Sequence, residues 1–89
     1  MALTTEVVEV QPTPNPNALK FVLNRPIVDR PTSFLHPEAA NGHAIASRLF
    51  EVPGVASVLL LGDFVTVNKD PAIRWEQITD RVREILKEC

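Results

Sequence analysis

The stretch Ala18 to Leu23 alternates without a break: Leu19, Phe21 and Leu23 fall on one side, and Ala18, Lys20 and Val22 on the other. A period of two is the mark of a strand with one buried face. Immediately before it stand Pro12, Pro14 and Pro16. Proline fixes its own φ and pushes the residue before it toward extended conformations, so Gln11, Thr13 and Asn15 are restricted as well. Without an N–H at each proline, this segment cannot run as a central strand, whereas Asn15 and Asn17 are suited to closing turns through their side chains. A stiff, polar corner leading into a half-buried strand is therefore the first constraint on the fold. Upstream, the Val-rich Thr5 to Gln11 sets Glu6, Val8 and Val10 against Val7 and Glu9. Both faces are mixed, as on an edge strand, and the two strands form a hairpin with a long connection.

Downstream, Asn24 to Gly42 contains Pro26, Pro31, Pro37, Asn41 and Gly42 and reads as one irregular loop, with a short extended piece around Ile27 and Val28. Unstructured connections longer than about 12 to 15 residues are uncommon in compact domains, which marks this segment as mobile or functional. His43 to Phe50 then places Ile45, Ala46, Leu49 and Phe50 on one helical face, and Pro53-Gly54 stops the helix. Val55 to Leu61 and Phe64 to Lys69 flank Gly62-Asp63 as a second hairpin. Asp70 offers an N-cap and Pro71 a first helical position. Trp75, Ile78, Val82, Ile85 and Leu86 then recur at helical spacing to the C-terminus. The order is ββαββα, so the expected fold class is α+β: a two-layer, mostly antiparallel sheet with both helices packed on one face.

All 89 residues are expected to form a single domain with room for one core. With 45% hydrophobic and 22% charged residues the composition is that of a soluble globular protein. Nine basic against eleven acidic residues give a net charge of −2 and no basic stripe, so nucleic acid is not an expected partner. A single Cys, at position 89, forms neither an internal disulfide nor a complete four-ligand metal site. No signal peptide and no membrane span are read, and the chain is expected to be cytoplasmic and monomeric.

No catalytic constellation stands out. His36 and His43 lack a Cys or paired acid at ligand spacing and read as loop or helix-start residues. Ser33, Ser47 and Ser57 have simpler accounts than nucleophilic catalysis. The i, i+4 pair His43 and Ser47 lacks an orienting carboxylate. Asp63 and Asp70 are explained by a hairpin tip and a cap. The three glycines are dispersed, so no phosphate-cradling loop is present. Cys89 reads as a free terminal thiol, or as one of several ligands contributed by separate chains. From the residues alone, the chain is a non-catalytic interaction module.

The stretch TPNPNALKF, Thr13 to Phe21, resembles the signature of the N-terminal domain of Nfu/NifU-type iron-sulfur scaffold proteins. Two further stretches follow in the same order: Leu49-Phe50 with Gly54-Val55, and Asp63-Phe64-Val65-Thr66-Val67, before Trp75. The similarity runs from about Glu6 to Leu86. It implies an α+β domain that is usually fused to a second domain whose C-x-x-C pair holds a shared [4Fe-4S] cluster. This chain has no C-x-x-C. The resemblance therefore implies an accessory role, recognition of iron-sulfur assembly or client proteins, with no cofactor bound by this chain alone and iron or a cluster involved at the level of the family. The candidate partner-binding residues are Thr13, Asn15, Asn17, Lys20 and Asp63, and for Asn15 and Asn17 structural corner and partner contact stand side by side. A second reading is direct iron or cluster binding by an oligomer through Cys89 and His36 or His43. A third is a small-molecule enzyme with a pocket under the loop 24–42.

Overall fold

The computed structural model describes residues 5–87. Five strands, β1 (Val7–Pro12), β2 (Ala18–Leu23), β3 (Thr32–Phe34), β4 (Val55–Leu61) and β5 (Phe64–Lys69), form one sheet in the order β1-β2-β5-β4-β3. Every neighbouring pair is antiparallel. Two helices, α1 (Ala44–Phe50) and α2 (Thr79–Lys87), cover one face, and short 3₁₀ turns lie at Pro37–Ala40 and Trp75–Gln77.

The alternation in β2 does what its period dictates. Phe21 and Leu23 are buried and Leu19 packs against the core, alongside Val65 and Val67 of β5 and Val58 and Leu60 of β4. Helices meet this layer through Ala46 and Leu49 of α1 and Val82, Ile85 and Leu86 of α2, with Ile78 just ahead of it. Fully burying one such aliphatic or aromatic side chain is worth about 1.5–3 kcal/mol, so this single layer supplies the main driving force for folding.

Strand β1 is an edge strand, as its mixed faces indicated, but its register carries a β-bulge. Val7 pairs with Leu23 while Glu9 pairs with Val22, leaving Val8 as an extra residue. The bulge lets Val7 and Val10, three apart, both pack on the core, and puts Val8 and Glu9 together on the other side. Val8 is 60% exposed there.

Three features differ from the sequence reading. The segment 24–42 is not a single irregular loop: Thr32–Phe34 forms a fifth strand against Val58 to Leu60, and Pro37–Ala40 makes a 3₁₀ turn. Its extended piece is not at Ile27 and Val28, which lie outside the sheet and pack on the core edge, Ile27 donating its N–H to the Gly62 carbonyl at 2.9 Å. The last helix begins at Thr79, not at Pro71. Asp70 spends its carboxylate on the N–H of Ala72 (2.9 Å) and its carbonyl on Ile73, closing a local turn. The extended backbone of Arg74 then separates that turn from Trp75–Gln77. The second hairpin agrees with the sequence reading: Gly62-Asp63 forms its turn, and Gly62 alone of the two has positive φ (57°), matching a turn with glycine at its first central position.

Candidate interaction site at the proline and asparagine corner

Residues 13–17 connect β1 to β2, and hydrogen bonds within the corner hold them. The Thr13 hydroxyl lies 2.8 Å from the Asn15 carbonyl and 3.0 Å from that of Ala18, and accepts from the Asn15 N–H. Asn15 Oδ1 accepts from the Asn17 N–H at 2.9 Å, an Asx turn, and the Asn15 carbonyl accepts from the Ala18 N–H. These bonds supply the backbone partners that the prolines cannot.

The corner is also tied to distant parts of the chain. Asn17 Oδ1 accepts from Lys69 Nζ at 3.1 Å, and the Asn17 carbonyl takes the Lys69 N–H at 2.8 Å. Trp75 donates its indole N–H to the Pro16 carbonyl at 3.1 Å. Lys69 follows Val65 and Val67 on the core face of β5 and is only 9% exposed, with its ammonium 5.7 Å from the centre of the Trp75 ring. A buried ammonium without partners is expensive. Here the Asn17 amide, the Asp70 carbonyl at 3.4 Å and the indole face provide them. Sequence reasoning missed Lys69, although its parity with Val65 and Val67 places a cation at the inner end of the strand.

The five candidate residues do not form one cluster. Thr13, Asn15 and Asn17 share the corner, with Pro12, Pro14, Asn15 and Pro16 exposed. Lys20 lies on the helix-free face of the sheet, its Nζ 4.1 Å above the Phe64 ring. Asp63 sits at the far end of β5, where its carbonyl receives the Leu23 N–H at 2.7 Å. Ala18 pairs with Asn68 and Val22 with Phe64, so the corner and Asp63 occupy opposite ends of the same pair of strands.

Elsewhere, an open cleft of about 670 Å³ lies under part of the long connection, lined by Pro26 to Arg30, Thr32 and His43. His43 Nδ1 accepts the Ala46 N–H at 3.1 Å as the cap of α1, and its ring meets Phe34 edge-on at 5.1 Å. His36 pairs with Glu38 on the surface at 3.2 Å. Among the described residues no group of three His, Cys, Asp or Glu is placed to hold a metal ion, and no helix is long and apolar enough to cross a membrane. Cys89 lies outside the described residues.

Comparison with known proteins agrees with this architecture. The family model for the N-terminal domain of the scaffold protein Nfu/NifU matches residues 8–89. The mitochondrial NFU1 iron-sulfur cluster scaffold homologue of Drosophila willistoni is 33% identical over 88 residues, spanning 97% of this chain and 30% of that protein. Its human counterpart is 42% identical over 64 residues, 71% of this chain and 25% of that protein. This chain therefore spans less than a third of the length of these relatives. Among solved structures, a NifU-like protein from Saccharomyces cerevisiae superimposes with a TM-score of 0.78 at 27% identity, over 90% of this chain and 74% of that one. A Staphylococcus aureus protein shares the fold, with a TM-score of 0.77 at 22% identity, over 90% of this chain and 96% of that one. With the family model matching nearly its whole length and the TPNPN corner built as described, the chain belongs to the Nfu/NifU N-terminal domain family of iron-sulfur cluster scaffold proteins.

Proposed function

We propose that the chain is a non-catalytic interaction domain that serves iron-sulfur cluster assembly or maturation by recognising assembly or client proteins. Family membership supports the pathway, and the observation that carries the interaction role is the construction of the corner. The oxygen acceptors of Thr13, Asn15 and Asn17 are engaged internally, which freezes the loop and leaves the rings of Pro12, Pro14 and Pro16 and the Asn15 amide at the surface. A surface already rigid before contact loses little conformational entropy on binding, the general advantage of a preorganised epitope. On this reading the two accounts of the asparagines join: they build the corner, and the corner is the contact.

The test is a binding assay with purified iron-sulfur assembly and client proteins, comparing wild type with Asn15→Ala and with Pro14→Ala/Pro16→Ala. Folding of each variant is confirmed from its amide spectrum. Weakened capture by folded corner variants is the expected result; full retention by both would rule out the corner as the contact.

A further inference from the structure

The face of the sheet opposite the helices carries an apolar row. Across four strands, Val8 and Glu9 of β1 stand beside Val22 of β2, which pairs with Phe64 of β5, which pairs in turn with Leu61 of β4. Helix-free faces of antiparallel sheets are ordinarily polar. Here the bulge in β1 adds an apolar side chain to that face, and Val8 is one of the two large hydrophobic residues most exposed among those described. One row along, Lys20 lies opposite Thr66 with its ammonium folded over the Phe64 ring, and no carboxylate among the described residues pairs with it. Glu9, an acid on the same face, accepts from the Gln11 side-chain amide.

We infer that this face is a second docking surface, one that takes an amphipathic helix of a partner protein with an acidic residue flanking its apolar stripe. Dimensions and charge both favour that occupant. At a strand spacing of about 4.8 Å the row from β1 to β4 is roughly 14 Å long, between two and three turns of a helix at about 5.4 Å per turn. Lys20 borders the row as a partly desolvated cation already resting on an aromatic ring, and a carboxylate at the edge of the incoming stripe supplies the charge it lacks. A second copy fits less well, because it presents the same cation, and the Glu9 carboxylate it carries on this face already accepts from the Gln11 amide. This surface is separate from the corner and does not depend on the function proposed for it.

The experiment uses the whole chain, ¹⁵N-labelled, titrated with a synthetic helical peptide of about 16 residues, above the length at which isolated helices are marginal. The peptide carries leucines at i, i+3, i+4 and i+7 with flanking glutamates, and a matched peptide has lysines in their place. The amides of Lys20, Val22, Leu61 and Phe64 are expected to shift with the acidic peptide. Lys20→Glu is expected to weaken it by about tenfold and to reverse the preference between the two peptides, the size of effect expected for one charge pair. Lys20→Gln, which removes the charge without reversing it, gives an intermediate loss. Asn15→Ala leaves peptide binding unchanged, which separates this surface from the corner. Shifts confined to another surface, equal binding of both peptides, or a concentration-dependent dimer abolished by Leu61→Asp would each overturn the inference.

Discussion

Two connections of this chain are rich in proline, residues 12–17 and residues 24–42, and they are held by different means. In the first, short-range side-chain bonds close the loop, and three long-range bonds, two from Lys69 to Asn17 and one from Trp75 to Pro16, fasten it to the end of β5 and the turn beyond it. The second begins with two long-range polar bonds of its own, Asn24 Oδ1 accepting the Glu6 N–H at 3.1 Å and Arg25 Nε donating to the Thr5 hydroxyl at 2.7 Å, but beyond them, over residues 26–42, polar side chains pair with near neighbours. Arg30 lies 4.0 Å from Asp29 with both side chains more than four-fifths exposed, and His36 contacts Glu38. The side chains that anchor residues 26–42 are apolar: Phe34 is buried, and Ile27 and Val28 pack on the core edge. Proline content predicts stiffness equally for both. What separates the corner from residues 26–42 is whether the polar side chains or the apolar ones cross to another element.

Breaking the apolar anchor of the second connection should have the largest effect. Phe34→Ala removes a buried aromatic from β3 and is expected to cost about 3–5 kcal/mol, a large part of the ~4–13 kcal/mol expected for a domain this size. Urea denaturation followed by tryptophan fluorescence measures the loss, and a change below about 1 kcal/mol would show that the segment is not pinned there.

The polar anchor of the first connection comes next. Asn17→Ala strips the amide acceptor from Lys69 Nζ, leaving a buried ammonium short of a partner, and is expected to cost about 1–3 kcal/mol. The sharper measurement is a double-mutant cycle. In a Lys69→Met background there is no ammonium to strand, so Asn17→Ala should then cost under about 1 kcal/mol. Equal costs in both backgrounds would mean that the loop holds itself and the long-range anchor is incidental.

These two anchors also mark where sequence is informative. Strands β2, β4 and β5 and the extent of α1 follow from periodicity and from Gly62-Asp63 and Pro53-Gly54, because each is specified by residues close in sequence. The Asx turn at Asn15 is legible for the same reason. Strand β3 is not: Thr32-Ser33-Phe34 is too short to show alternation and sits between prolines, so only its pairing with β4 makes it a strand. Asp70-Pro71 misleads about the start of α2 because the same residues that cap a helix also close an isolated turn. The bond from Lys69 to Asn17 joins residues 52 apart, and no local pattern encodes it. Parity alone hinted at it, since Lys69 continues the inward series of Val65 and Val67.

Within the corner, Asn15→Ala removes the acceptor of the Asx turn without exposing or stranding a buried charge. The Asn17 N–H it releases is free to bond water, so the expected loss is about 0.5–1.5 kcal/mol, clearly less than for Asn17. If Asn15 proves the costlier of the two, the corner is closed from within and Lys69 merely rests against it.

The smallest effect belongs to the surface of the second connection. Arg30→Ala breaks a contact at the limit of ion-pair distance between two almost fully exposed side chains, where solvent screening and side-chain entropy leave little net attraction. Stability is expected to change by less than about 0.5 kcal/mol, with no dependence on salt beyond that of the wild type. The result bears on the cleft beneath, because Arg30 and His43 both line it while His43 is committed to capping α1. A neutral Arg30→Ala would leave that side chain free of any structural duty, so that a change in ligand or partner binding in the variant is attributable to the cleft and not to a shifted loop. A loss above about 1 kcal/mol would mean the opposite: the charged surface of residues 26–42 holds the fold as the corner does, and the contrast between the two connections fails.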